Sequence, residues 1–304
     1  CPTFAAIISA ISIPKGSIKL AGFLFKPESP STGKLPAIVI IHPGGGVKEQ
    51  TASVYAKKLS QNGYVAICYD AAHQGASEGT PHFLEDPASR VTDASAVADY
   101  LERLDYVDVN RVFLVGICAG GGYAVGAAKG DHRFKAVSIV SAVNIGDGAR
   151  LGWYGNEKAD EKAATLDQVA QAVQAEAAGN EPIAAPYIPP TLDDNTPYDL
   201  KEAHEYYLTA RGQNKMLLRS TGLVMNFDAW IFADIFLTQP LLILVGEKAE
   251  SRWHLEKIYK ILDGKNKVLN KVVVPNARHM DFYDKEDYIN PAIEKIVDHF
   301  SPNN

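Results

Sequence analysis

The sequence predicts an α/β fold: a mostly parallel, doubly wound sheet with an inserted helical cap. Three observations predict it. Short, nearly continuous apolar runs at residues 37–42 (AIVIIH), 65–69 (VAICY), 112–117 (VFLVGI) and 136–140 (AVSIV) read as parallel strands covered on both faces. Helical patterns lie between them, and strands alternating with helices imply right-handed βαβ units. The rhythm stops after Ala142 and resumes at residues 240–246 (PLLILVG).

Taken in order, residues 7–13 and 18–25 read as two strands joined around residues 14–16, an antiparallel pair at the edge of the larger sheet. Residues 52–62 carry Tyr55 and Leu59 at helical spacing, and residues 94–104 read as a helix capped by Asp93. Residues 145–235 are rich in Ala, Tyr, Asp, Glu and Pro, with helical stretches such as 161–178 and no convincing strand. This segment is expected to be the cap, with residues 1–144 and 236–304 forming the core. After it come a helix at 254–262, a strand at 271–274 and a closing helix at 291–300.

Composition narrows the function. A chain of 304 residues with 46% hydrophobic and 22% charged residues can build one large packed core. The net charge of −6, without long basic blocks, offers no footprint for a polyphosphate backbone, so nucleic acid is not an expected partner. No run approaches the ~20 apolar residues of a membrane span. The three cysteines, Cys1, Cys68 and Cys118, fit neither a disulfide framework nor a zinc site, which favours a reducing, cytoplasmic setting.

The residues that carry chemistry begin with Gly116-Ile117-Cys118-Ala119-Gly120, where a buried-type strand runs straight into a small-residue helix. A nucleophile on so tight a turn needs glycines two before and two after it, and the helix N-terminus favours a thiolate. Cys118 is therefore the candidate nucleophile, whereas Cys68 lies inside a strand with no glycine turn and reads as core. The matching base is His279, placed after the last strand and later in the chain than the nucleophile. Ala119 and the glycine loop at Gly44 and Gly45 are the candidate oxyanion donors. His42, at the head of that loop, reads as loop-organising. The acid that would orient His279 is sought after the strand 241–245; Glu250 is preferred, with Glu247 and Asp281 as alternatives.

Four segments, HPGGGVKEQ at 42–50, YDAAHQGASEG at 69–79, RVFLVGICAGGGYA at 111–124 and HMDFYD at 279–284, together resemble the dienelactone hydrolase-like branch of the α/β-hydrolase superfamily. The likeness is to a bacterial and fungal subgroup and covers nearly the whole chain outside the cap. It implies an α/β-hydrolase fold, a cysteine nucleophile at Cys118, a histidine at His279 and an acid in the 246–250 loop, where the family's usual Asp is absent. It also implies relatives that are hydrolases and, in fungal polyketide clusters, proteins that move or release acyl chains. Lys48-Glu49-Gln50 marks the subgroup and reads as a helix start.

The expected function is a hydrolase that cleaves an ester, thioester or lactone through an acyl-enzyme, with no cofactor and no metal. The alternatives are an acyltransferase that delivers a polyketide-type chain to an alcohol, and a non-catalytic small-molecule binding protein. The expected partner is a small acyl substrate, and a homo-oligomer is compatible with the sequence. Cap aromatics Trp153, Tyr154, Tyr187, Tyr206, Tyr207, Phe227, Trp230 and Phe232 offer apolar surface for a pocket, although cap core is their commoner role.

Overall fold

A computed structural model describes residues 3–28, 33–208 and 213–301; Cys1 lies outside them. The antiparallel pair β1 (Ala6–Lys15) and β2 (Ile18–Pro27) starts the sheet. The chain continues through β3 (Leu35–Ile41), α1 (Thr51–Gln61), β4 (Val65–Tyr69), α2 (Pro87–Glu102), β5 (Val107–Ile117), α3 (Ala119–Gly130) and β6 (Phe134–Val140). The eight-stranded sheet has the order β1-β2-β4-β3-β5-β6-β9-β10, where β9 is Leu241–Gly246 and β10 is Leu269–Val274. From β4 to β10 every pairing is parallel. This is an α/β-hydrolase fold.

Strand parity explains why the apolar runs are continuous. On β3 and β4, Val39, Ile41, Ile67 and Tyr69 enter one core layer, while Ile38, Ile40, Ala66 and Cys68 enter the other. Helices cover both faces, so neither parity is released to solvent. Truncating a residue such as Ile40 to Ala is expected to cost about 2–5 kcal/mol.

Two helix starts differ from the sequence expectation. The second helix begins at Pro87, not after Asp93: Asp86 accepts the Ala88 N–H at 3.0 Å, and Pro87 needs no N–H at the first helical position. Asp93 is buried within that helix, where it pairs with Lys15 and accepts the Ala72 N–H at 2.9 Å. The closing helix, α11, spans Glu286–Phe300 and contains Pro291 in its interior.

Between β6 and its sheet neighbour β9 the chain makes one long excursion. It contains α4 (Ile145–Leu151), a 3₁₀ turn (Ala159–Lys162), α5 (Ala163–Ala177), α6 (Tyr198–Tyr207), α7 (Ser220–Met225) and α8 (Ala233–Phe236). It also holds two short strands the sequence did not suggest, β7 (Ala184–Ala185) and β8 (Met216–Leu217), paired antiparallel. Two residues each carry too little pattern to be read. After β9 come α9 (Arg252–Leu262) and, past β10, the single turn α10 (Asp281–Asp284). Among the described residues no helix is long and apolar enough to cross a membrane.

Candidate active site

Cys118 sits at the turn from β5 into α3 with φ 55° and ψ −124°, a backbone conformation costing about 1–3 kcal/mol for a residue with a side chain. Surrounding hydrogen bonds hold it there. Its N–H donates to the Val140 carbonyl at 3.0 Å, and its carbonyl accepts from Gly121 at 2.9 Å and Val143 at 2.8 Å. A Cβ on Gly116 would collide with the Gly120 carbonyl, and one on Gly120 would collide with the Ile41 carbonyl. The G-x-C-x-G spacing is thus a steric requirement of this turn. The half-buried Cys118 sulfur faces the backbone N–H groups of Ala119 and Gly44.

The loop that carries Gly44 is clamped from below. His42 is buried; its Nε2 accepts the Ala71 N–H at 3.0 Å, which leaves Nδ1 to donate to the Pro43 carbonyl at 2.7 Å. Burial, then the neighbouring Arg90 cation, hold its pKa well below the usual value. His42 is therefore a neutral brace and has no free nitrogen with which to act as a base. Arg90 donates to the His42 carbonyl at 2.7 Å and pairs with Glu85 at 3.1 Å, and Glu85 accepts the Tyr123 hydroxyl at 2.6 Å. Lys48 spans to the buried Asp70 at 2.7 Å, tying residues 42–50 to residues 69–79. The Lys-Glu-Gln segment is also the helix start expected of it: Gln50 is the N-cap residue of α1, and its side-chain oxygen accepts the Val47 N–H at 3.1 Å. Gly45 turns the loop at φ +67° beneath Tyr187, while the N–H facing the sulfur is that of Gly44.

His279 lies in the loop after β10, its carbonyl accepting the Ser141 hydroxyl at 3.2 Å. Its Nδ1 is 2.6 Å from the Ser251 hydroxyl, and its Nε2 is 3.2 Å from the Tyr283 hydroxyl. Tyr283 in turn faces the Cys118 sulfur and the Tyr207 hydroxyl. Ser251, His279, Tyr283 and Cys118 thus follow one another across the site. Tyr283 lies within the HMDFYD segment at 279–284 that the sequence singles out around His279, on the single turn α10.

None of the three candidate acids is at His279. The Glu250 carboxylate accepts from Trp153 Nε1 at 2.9 Å and from the backbone of Tyr198 and Asp199 at 3.0 Å each. It caps the start of α6, where a negative charge meets free N–H groups and the positive helix end. Glu247 accepts the Asn276 N–H at 2.9 Å, and Asp281 accepts the Arg278 N–H at 2.7 Å while pairing with Lys285. The structure corrects the expected acid: the hydroxyl of Ser251, one residue past Glu250, occupies the position at Nδ1.

Burial lowers the His279 pKa to about 4. It also raises that of the Cys118 thiol, opposed by Tyr283 and the N–H groups of Ala119 and Gly44. Without ligand the pair is therefore thiol and neutral imidazole. Cys68 differs in kind: fully buried, it is pushed up to about 12 by desolvation. Among the described residues no group of three His, Cys, Asp or Glu side chains is arranged to hold a metal ion.

A cavity of about 270 Å³ abuts the site. Its wall is mostly apolar, from Ile145, Ala149, Met216 and Val224, and it is bordered by Ser251 and Tyr187. The Tyr187 hydroxyl packs directly against Gly44, so the segment between β6 and β9 reaches the Gly44 loop. Of the other aromatics, Trp153 lines this cavity; Tyr206, Tyr207 and Trp230 are buried in packing, and Tyr154 and Phe232 face solvent. Phe227 packs against Tyr123 with ring centroids 5.7 Å apart. Neither Cys118 nor His279 lines this cavity, which meets the site through Ser251 and Tyr187; a larger cleft of about 570 Å³ between α1 and α11 includes none of these four residues.

The sequence profile of the dienelactone hydrolase family matches residues 20–188. The chain is 41% identical over 281 residues to the Escherichia coli K12 protein YcjY, with 91% of each chain covered. The crystal structure of Pseudomonas aeruginosa protein PA2218 superposes with a TM-score of 0.90 at 28% identity, covering 99% of this chain and 94% of that one. Fungal proteins match over shorter stretches. The thiohydrolase aneE of Aspergillus aculeatus is 29% identical over 40% of this chain and 37% of its own. The polyketide transferase claH of Penicillium crustosum is 31% identical over 41% of each.

Proposed function

The chain belongs to the dienelactone hydrolase family, enzymes of the α/β-hydrolase type, and on that footing we propose that it cleaves esters or thioesters of medium-length apolar acids through an acyl-Cys118 intermediate. The observation that carries this reading is the place of the Tyr283 hydroxyl, 3.2 Å from Nε2 of His279 and facing the Cys118 sulfur.

In the first step the Tyr283 hydroxyl passes its proton to Nε2 as it takes the proton of the thiol, and the thiolate forms a bond to the acyl carbonyl carbon. The carbonyl oxygen becomes an oxyanion that accepts from the N–H groups of Ala119 and Gly44, already turned toward the sulfur. Collapse breaks the bond to the leaving alkoxide or thiolate, and the proton held at His279 returns to it. Water then attacks the acyl-Cys118 by the same route, giving acid and free thiol.

Ser251 supports the same scheme. With its hydroxyl accepting from Nδ1–H, His279 keeps the tautomer whose Nε2 lone pair receives the proton. A hydroxyl stabilises an imidazolium less than a carboxylate does, so this base is weak. A thiol, with an ordinary pKa of about 8.5, needs less of a base than an alcohol does. A cysteine nucleophile and a serine-oriented histidine are chemically matched.

The cavity indicates acyl size. At ~30 Å³ per water-sized group, its volume holds roughly nine heavy atoms. The similarity to a polyketide transferase favours a second outcome for the same intermediate, in which an alcohol instead of water accepts the acyl group. The deciding experiment is intact-mass analysis after exposure to p-nitrophenyl esters and acyl thioesters of graded length, on the wild type and on Cys118→Ala. A single acyl adduct confined to the wild type supports the reading. Turnover by Cys118→Ala, or no adduct and no turnover by the wild type, overturns it, and added alcohols report the partition between hydrolysis and transfer.

A further inference from the structure

The mostly apolar cavity contains a polar ring whose role the chemistry above leaves unfilled. His254 lines it and is only 3% exposed, and its Nδ1 is buried with no hydrogen-bond partner among the described residues. The position is otherwise one for a hydrocarbon, since Leu255, Ile258 and Leu262 share the buried face of α9. A leucine there would leave no ring nitrogen unpaired in a dry site, which is a costly arrangement unless a ligand completes it.

The ring is also held in a defined orientation. Trp253 stacks on it with centroids 3.6 Å apart, and Trp253 Nε1 is itself anchored to the Trp153 carbonyl at 3.0 Å. The Cε1–Nε2 edge faces Gly148, where even an added Cβ would stay 3.8 Å from Cε1 and 4.0 Å from Nε2. Ser251, three residues earlier at the N-cap of α9, is the group bonded to His279. His254 is thus fixed in the cavity wall three residues away from the catalytic histidine's partner.

We propose that His254 is a specificity-determining residue that hydrogen-bonds an oxygen substituent, hydroxyl or keto, on the hydrocarbon part of the acyl chain. The substrate class is then oxygenated medium-length acyl esters or thioesters, an assignment that rests on the acyl-Cys118 reading. Burial keeps the ring neutral, with its pKa lowered to about 3, and since Nδ1 is sealed, Nε2 is the nitrogen a ligand meets, as N–H donor or lone-pair acceptor according to the tautomer. A hydroxyl meets either form, and a ketone meets the donor. A plain chain leaves Nε2 unmet.

The test measures binding separately from turnover. Cys118→Ala is titrated calorimetrically with octanamide and with hydroxyoctanamides and oxo-octanamides carrying the oxygen at successive chain positions. At least one oxygenated isomer is expected to bind on the order of tenfold more tightly than octanamide. Adding His254→Phe, which keeps a ring for the Trp253 stack, brings that ratio close to unity, and His254→Gln restores part of it. His254→Leu serves as the second apolar variant should the phenylalanine protein not fold. A parental ratio near unity for every isomer, or a preference that survives both apolar variants, overturns the proposal. The two readings fail separately: oxygen-selective binding with no acyl-Cys118 adduct in the wild type would remove the catalytic reading and keep this subsite, and acylation without oxygen preference would do the reverse.

Discussion

The hydroxyl of Tyr283 stands between Cys118 and His279: it lies 3.2 Å from Nε2 and faces the sulfur. A hydroxyl has one proton to give and two lone pairs, so it can accept from a thiol while donating to an imidazole. The tyrosine is buried and its pKa is raised well above the usual value, first by desolvation and next by Cys118, so it stays protonated at any working pH. Its place is that of a neutral conduit between two groups that burial keeps uncharged.

Tyr283→Phe removes the conduit and little else. Positioned proton transfer is worth about 10²–10⁴ in rate, and kcat on a p-nitrophenyl ester is expected to fall about a hundredfold. The lost buried hydrogen bonds should lower unfolding stability by about 1 kcal/mol, read in urea. A kcat within twofold of wild type would mean that the imidazole reaches the sulfur directly once substrate is bound.

Thiol reactivity separates the two described cysteines. Cys118 is half-buried beside two N–H donors at a helix start, whereas Cys68 is fully buried and raised to about 12. Iodoacetamide at neutral pH is therefore expected to label Cys118 at least tenfold faster, with Cys68 reacting only as the protein unfolds. Peptide mapping over a time course reads this out. Equal labelling in the folded protein would remove the special status of Cys118.

How much of this was legible in the sequence depends on the range of the interactions involved. The strands and the turn at Cys118 could be read because their causes are local: two covered faces make an apolar run continuous, and a carbonyl at Gly120 forbids a Cβ at Gly116. The partner of His279 could not. Glu250 and Ser251 are adjacent in one loop, and which of them turns toward the imidazole is decided by α6, whose first N–H groups claim the carboxylate from some fifty residues away in the chain. The braces on the Gly44 loop, Arg90 and Lys48, escaped for the same reason. Their partners, Glu85 and Asp70, are legible only once the loops are seen side by side.

Acid should destabilise the fold through its buried histidines. His279 falls from an ordinary 6.5 to about 4, so the unfolded chain binds its proton first, and stability increases with pH across that window. The contribution is complete above about pH 6.5 and is lost as the pH drops toward 4, amounting to about 3 kcal/mol for this one residue. Urea unfolding of wild type and His279→Gln at neutral pH and near pH 4.5 isolates it from the carboxylates. The gap between the two proteins should shrink in acid, and a constant gap would show that the imidazole is not held neutral by the fold.

The assignment of Ser251 in place of Glu250 gives the sharpest contrast between two neighbouring residues. Glu250→Gln weakens the cap on α6 and keeps its shape, so the expected loss is about 1 kcal/mol of stability with kcat changed by less than tenfold. Ser251→Ala leaves the His279 ring without its partner at Nδ1, freeing it to rotate or to take the tautomer whose proton sits on Nε2, where no further proton can be received. Its kcat is expected to fall by more than tenfold while KM moves little, since the interaction lost acts on proton transfer and does not hold substrate. Ser251→Asp extends the series: a carboxylate at Nδ1 raises the basicity of His279, and the acid limb of the pH–rate profile should move upward. Should Glu250→Gln abolish turnover while Ser251→Ala retains it, the carboxylate must leave α6 and reach the imidazole when substrate binds, and the hydroxyl at Nδ1 would be a feature of the ligand-free enzyme alone.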